Sequence, residues 1–237
     1  LGNDVNGGTD LTEANLAAAD QATDTPTNNF CTVSPLYNIG NDGTYALSEG
    51  NCIFTGTGGN DETYGTMGVY SGKWYFEAEY DSNSDRGFAG WASIDKVNDH
   101  GGSSPVDIFI GQYRDDKAVN MGVDGDAYTS ITDGDILGYA INLDASSGSR
   151  TVVVQKNGST IHTLTIATTH EDNGFIPTVG DTSSTDAIVK LNFGGCPSVA
   201  PSSAVADANG YGSFEYNPTI GGVDYLALCT KNLAEYG

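Results

Sequence analysis

The sequence predicts an all-β fold, an antiparallel β-sandwich with little helix, and three observations carry this. Residues 71–81, SGKWYFEAEYD, alternate: Trp74, Phe76, Ala78 and Tyr80 point one way, and Lys73, Tyr75, Glu77 and Glu79 the other. Period two over that length is a half-buried strand. Asn157-Gly158 joins VVVQK to STIHTLTI, the strongest short-range signal for a hairpin. The 32 glycines against 7 prolines mark tight turns between many short β-rich runs, a pattern of sandwiches.

Taken in order, residues 1–29 form a polar, acidic lead-in rich in Asn, Asp, Thr and Gly. Within it Thr12 to Asp20, TEANLAAAD, has the composition and the threonine cap of a short helix. Residues 30–237 read as one sandwich domain, long enough to bury a core. Strands are predicted at 30–35, 44–54, 63–70, 72–81, 86–94, 106–113, 118–122, 135–144, 150–156, 160–166, 175–179, 187–193, 213–216 and 225–229. The stretch 194–212, rich in Ala, Ser, Pro and Gly, is an irregular excursion before the last strands. The predicted core is Trp74, Phe76, Trp91, Leu137, Tyr139, Ile141, Leu143, Val189, Leu191 and Phe193, all on alternating apolar faces.

Composition excludes several functions. The formal net charge is −22, and no Lys or Arg precedes Lys73. Nothing supplies the basic stripe that neutralises phosphates, so nucleic acid is not a partner, and anionic membranes are disfavoured for the same reason. No apolar run is long enough to span a bilayer. The cysteines, Cys31, Cys52, Cys196 and Cys229, form no C-x-x-C pair, which argues against zinc and redox chemistry and for buried apolar roles over disulfides. His100, His162 and His170 are scattered, and there is no nucleophile elbow or P-loop. No cofactor is implied. Calcium would be sought at Asp124-Gly125-Asp126 and Asp133-Gly134-Asp135, which lack EF-hand spacing and read as turns between strands.

One carboxylate run invites a catalytic reading. Glu77, Glu79 and Asp81 share a strand face at about 6.6 Å intervals, and glycosidases place two carboxylates about 5–5.5 Å or about 6.5–9.5 Å apart. A glycan hydrolase using Glu77 and Glu79, with Tyr75 as a platform, is therefore the enzymatic alternative. The plainer expectation is that this face is the solvent side of an outer strand.

Six segments in order, GTMGVYSGKWYFEAEY at 65–80, FAGWASI at 88–94, GDILGYAINLD at 134–144, VVVQKNG at 152–158, FIPTVG at 175–180 and VKLNFG at 189–194, resemble the SPRY family, a concanavalin-like sandwich used for binding. The flanks, TDTPTNNFCTVSPL at 23–36, YALSEGN at 45–51 and DYLALCTKNLAEYG at 224–237, are similar to the SPRY-type module of tailed-phage structural and fibre proteins, often marine. That resemblance implies a non-enzymatic virion module, with other virion proteins or a host-surface glycan or protein as partners and a homo-oligomeric parent. It also implies that Leu1 lies inside a longer chain or follows a cleavage. A cellular SPRY adaptor binding a short peptide is the other alternative. In the family the terminal segments close the sandwich side by side, which makes Cys31 and Cys229 the preferred disulfide pair. Relatives bind through loops, here 81–86, 95–105, 113–117, 124–132 and 181–186. Tyr113, Arg114 and Asp116, with Asp124, Asp126 and Tyr128, are the candidate ligand-binding residues, since a ring beside carboxylates suits a sugar.

Overall fold

The computed structural model describes residues 24–36, 44–57, 61–81, 87–97, 109–114, 118–121, 123–124, 130–182, 187–195 and 201–237. The strands are β1 (Tyr45–Ser48), β2 (Ile53–Gly56), β3 (Asp61–Tyr64), β4 (Lys73–Tyr80), β5 (Gly87–Ser93), β6 (Phe109–Tyr113), β7 (Ala118–Asn120), β8 (Val123–Asp124), β9 (Ile136–Asn142), β10 (Thr151–Lys156), β11 (Ser159–Thr165), β12 (Phe175–Asp181), β13 (Ile188–Asn192), β14 (Thr219–Ile220), β15 (Val223–Asp224) and β16 (Leu226–Ala227). Among the described residues there is a single α-helix, α1 (Thr230–Tyr236). The larger sheet runs β1-β2-β13-β4-β9-β10-β11, with β16 added beside β4, and the second runs β3-β12-β5-β6-β7-β8. All ladders are antiparallel except β16 on β4. The chain is thus an all-β antiparallel sandwich with little helix, as the alternation predicts.

All ten predicted core residues lie in one buried cluster between the sheets. Trp74, Phe76, Ala78 and Tyr80 point inward from β4, as the alternation requires. The Trp91 ring meets Phe76 edge-on at 5.3 Å, and its indole N–H donates to the Tyr139 carbonyl at 3.4 Å. The Asn157-Gly158 hairpin forms with both φ angles positive, 48° and 77°, the conformation of a type I′ turn.

Several local readings are corrected. The stretch 44–54, predicted as one strand, is the hairpin β1–β2. Glu49, Gly50 and Asn51 turn it with three successive positive φ values, 49°, 66° and 63°, and Gly and Asn tolerate that region best. Residues 213–216 form no strand; Phe214 only bridges Val205. The terminal α1 has a single partly buried apolar anchor, Leu233, too little periodicity for a sequence pattern to register. The Thr12–Asp20 helix lies outside the described residues.

The cysteine pairing is also corrected. The terminal segments do lie side by side: Phe30 bridges Cys229, and the Cys31 N–H donates to the Leu228 carbonyl at 2.8 Å. Yet Cys31 and Cys229 form no disulfide with each other, and both are fully buried. The register explains this. Phe30 is opposite Cys229, so these two share a face, while Cys31 and Leu228 point to the other. A one-residue offset sends adjacent thiols into different layers. Burial pushes the Cys31 thiol up to about 11 despite hydrogen bonds from Thr66 and Met67, so it stays protonated and inert at neutral pH. Cys52 is disulfide-bonded, which corrects the expectation of a buried apolar role over a disulfide at that position.

Candidate functional site

Strand directions sort the loops. β4 leaves the sandwich at Tyr80 where β13 begins, with Val189 opposite Tyr80, and where β9 begins, with Ile136 opposite Glu79. In the second sheet the same end holds the start of β5, the end of β6, the start of β7 and the end of β12, through the pairs Phe88–Tyr113, Gln112–Ala118 and Asp181–Gly87. The Tyr80 hydroxyl, donating to the Gln112 carbonyl at 3.1 Å, ties the two sheets together there. Four of the five predicted loops, 81–86, 113–117, 124–132 and 181–186, therefore spring from one end, joined by the 157–158 turn. The fifth, 95–105, begins at the opposite end, beyond Ser93, which pairs with Phe175.

The described side chains at this end are ion-paired. Arg114 pairs with Asp133. Lys156 reaches Asp135 at 2.8 Å, and Lys190 lies between Glu79 at 2.9 Å and Asp81 at 2.7 Å. Asp135 is the most committed. It accepts hydrogen bonds from the Thr132 N–H (2.7 Å), the Thr132 hydroxyl (2.9 Å) and Asn157 Nδ2 (2.7 Å), tying the start of β9 to the hairpin. Burial acts to raise its carboxyl, but Lys156 and these donors outweigh burial and hold it at about 2. A folded-state pKa below the unfolded value gives stability that is full above the unfolded value and is lost as pH falls towards the folded one. Asp135 should thus contribute its stabilisation above about pH 4 and lose it as pH falls towards 2. Urea unfolding of Asp135→Asn and the parent chain checks this: the two stabilities should converge on acidification, and a gap independent of pH would contradict the assignment.

Of the candidate ligand residues, Tyr113 is corrected. It ends β6 on the outer face of the second sheet and is 5% exposed. Its ring sits against Phe88 at 5.3 Å and Phe109 at 5.6 Å, within a buried cluster that includes Tyr64 and Val119. It is not an open platform for a sugar ring. The strand parity Phe109, Gly111, Tyr113 is the signal for this, and the following Asp115-Asp116 masks it. Arg114 begins the loop, held by Asp133, a partner the sequence does not point to. Asp124 ends the short β8. Asp116, Asp126 and Tyr128 lie outside the described residues, so the structure does not bring the six together.

The carboxylate run on β4 is also rearranged. Tyr75 and Glu77 are not on a solvent face; both are fully buried. Residues 201–229 cross the outer face of the large sheet, and Phe214, Tyr225 and Ala227 pack over Tyr75 and Val153. Phe214 meets the Tyr75 ring edge-on at 5.1 Å. Glu77 pins this covering segment. Its Oε1 accepts from the Tyr216 N–H at 2.8 Å and the Tyr75 hydroxyl at 3.1 Å; its Oε2 accepts from the Glu215 N–H at 2.9 Å and Asn192 Nδ2 at 3.1 Å. Burial raises the Glu77 carboxyl, and these four donors oppose it without cancelling it. A carboxylate sealed from solvent, with all four donors in place, has no room for a glycosidic oxygen, and Glu79 is held by Lys190. Of the pair on which the hydrolase reading stood, Glu77 is sealed by the covering segment and Glu79 is ion-paired. Among the described residues no group of three or more His, Cys, Asp or Glu is arranged to hold a metal ion.

Comparison with solved structures bears on the fold. The chain is similar to the SPRY domain of human HERC1 (19% identity over 62% of this chain and 91% of that one, TM-score 0.47). It is similar to the TRIM65 PSpry domain (13%, 69% and 89%, TM-score 0.49) and to stonustoxin (17% identity over 69% of this chain, TM-score 0.50). The chain spans 27% of the stonustoxin chain. No protein-family model and no curated protein matches the sequence. The likeness is one of fold, a SPRY-like sandwich.

Proposed function

We propose that this chain is a non-catalytic recognition module of a larger virion appendage, a phage fibre or decoration protein, and that it meets its partner with the loop end of the sandwich. The observation that carries this reading is the convergence of four connections on one end of a rigid, fully packed sandwich. Such an end presents variable side chains on a fixed scaffold. The sealing of Glu77 supports a binding role over hydrolysis. The flanking segments that resemble phage modules supply the virion setting, with other virion proteins and a host-surface glycan as partners and a homo-oligomeric parent. The loop residues offered are Arg114, Asp116, Asp124, Asp126 and Tyr128, with no cofactor.

A glycan array on the 237-residue chain tests the loop end. The expected result is binding to a surface glycan that falls at least about tenfold in Tyr128→Ala, the scale of one lost stacking contact. Binding untouched by Tyr128→Ala and by Asp126→Ala would remove the loop end from the account.

A further inference from the structure

Away from the loop end, a groove of about 370 Å³ lies between residues 25–30, the 210–212 turn and the start of α1. Its floor is Phe30, and its walls are the 25–28 turn with Thr25, Thr27 and Asn28, the 210–212 turn with Tyr211, and the first turn of α1 with Lys231. Its volume is in the range of small-molecule sites, about 300–1,000 Å³.

The walls are fixed by buried hydrogen bonds. Asp207 Oδ1 accepts from the N–H groups of Asn209 (2.9 Å) and Tyr211 (2.8 Å), closing the turn that presents Tyr211. Asp207 Oδ2 accepts from the Ala227 N–H at 2.9 Å and from Asn232 Nδ2 at 2.7 Å, locking that turn to β16 and α1. Asn28 Oδ1 accepts from the Lys231 N–H at 3.1 Å and the Thr230 hydroxyl at 3.4 Å, holding the third wall. Three segments distant in sequence are thus ordered before any ligand arrives, which lowers the entropic cost of binding.

Against this scaffold the groove offers Tyr211, Lys231 and two threonine hydroxyls that face each other at 3.4 Å, Thr25 Oγ1 also accepting from the Asn28 N–H at 3.0 Å. The Tyr211 ring is half-buried, and among the described residues its hydroxyl has no hydrogen-bond partner. The Thr25 and Thr27 side chains are exposed. Lys231, like Lys73, makes no ion pair among the described residues, whereas Arg114, Arg150, Lys156 and Lys190 each do. Lys231 and Tyr211 line the same groove in a chain of net charge −22. At about 0.15 M salt the Debye length is about 8 Å, so distant carboxylates are screened. The nearer carboxylates are Asp207, as above, Asp24, whose Oδ1 accepts from the Phe30 N–H at 2.8 Å, and Glu235, one turn beyond Lys231 on α1.

We propose that this groove between the 25–30 segment and α1 is a second binding site, for a saccharide carrying a carboxylate. Tyr211 stacks on the sugar face, the Thr25 and Thr27 hydroxyls meet its hydroxyls, and Lys231 receives the carboxylate. A peptide is disfavoured because the groove offers turns and a helix, with no free strand edge to pair with. The site does not depend on the loop-end reading.

The test is titration of the full chain with glucuronate-, galacturonate- and sialate-terminated oligosaccharides and their neutral parents. At least one acidic sugar should bind about tenfold more tightly than its parent, the scale of one charge-assisted hydrogen bond. Lys231→Gln, an exposed change, should erase that preference, Tyr211→Ala should abolish binding, and Tyr128→Ala should leave both intact. Failure of every acidic sugar to bind, or equal binding of acidic and neutral sugars, overturns the proposal. So does acidic-sugar binding unchanged in Lys231→Gln, or binding confined to peptides with a free terminal carboxylate.

Discussion

Replacing Trp91 by Ala should destabilise the sandwich by about 3–5 kcal/mol, the range for deleting a fully buried large aromatic side chain. Trp91 is fully buried at the centre of the inter-sheet layer, edge-on to Phe76. Its loss removes the transfer energy of the ring and leaves a cavity that two hydrogen-bonded sheets cannot readily close. It also leaves the Tyr139 carbonyl without the indole N–H. Against a typical domain stability of about 5–15 kcal/mol, the variant should unfold at a much lower urea midpoint with an unchanged slope. A midpoint shift worth only a few tenths of a kcal/mol would show that the face assignment of β5 is wrong.

Glu77→Gln should cost about 1–3 kcal/mol, the expectation for leaving at least one buried donor unsatisfied, even though the side chains are nearly the same size. Each carboxylate oxygen accepts from two donors. Whichever oxygen becomes an amide nitrogen then opposes two N–H or O–H groups. The Tyr75 hydroxyl can turn to accept from that amide, but the backbone N–H of Tyr216, or in the other orientation that of Glu215, cannot. Asn192 Nδ2 also donates to the Ser213 carbonyl at 2.8 Å, and its Oδ1 accepts from the Gly194 N–H at 2.8 Å, so its amide is fixed in one orientation. The covering segment around Glu215 and Tyr216 should loosen first, seen as faster amide exchange there than in β9 or β10. A neutral effect on stability would return Glu77 to the surface and reopen the hydrolase reading.

These two residues also show where the sequence could be read. Trp91 and the other core residues announce themselves because each strand alternates and one face is apolar. The hairpin at Asn157-Gly158 is equally legible, since the type I′ turn demands residues that accept positive φ. Glu77 is not legible. Alternation places it opposite the core, but nothing local reveals that residues more than a hundred positions later will cover that face. Tyr75, Glu77 and Asp207 owe their roles to this long-range contact. Tyr113 fails for a related reason: the second sheet has an aromatic outer face as well as an inner one, so outward parity there does not mean exposure. The paired thiols fail by one residue of register. The SPRY-like motifs locate the strands, and the strands then locate the loop end, while α1 and the groove beside it rest on side-chain hydrogen bonds that no local pattern encodes.

The central claim, a recognition module of a virion appendage, is tested most directly by recovering the native parent protein with an antibody against this domain and identifying it by mass spectrometry. The account predicts a chain much longer than 237 residues, found in particle fractions together with capsid or tail proteins. A free cytosolic protein of about this length, separate from any particle, would contradict it.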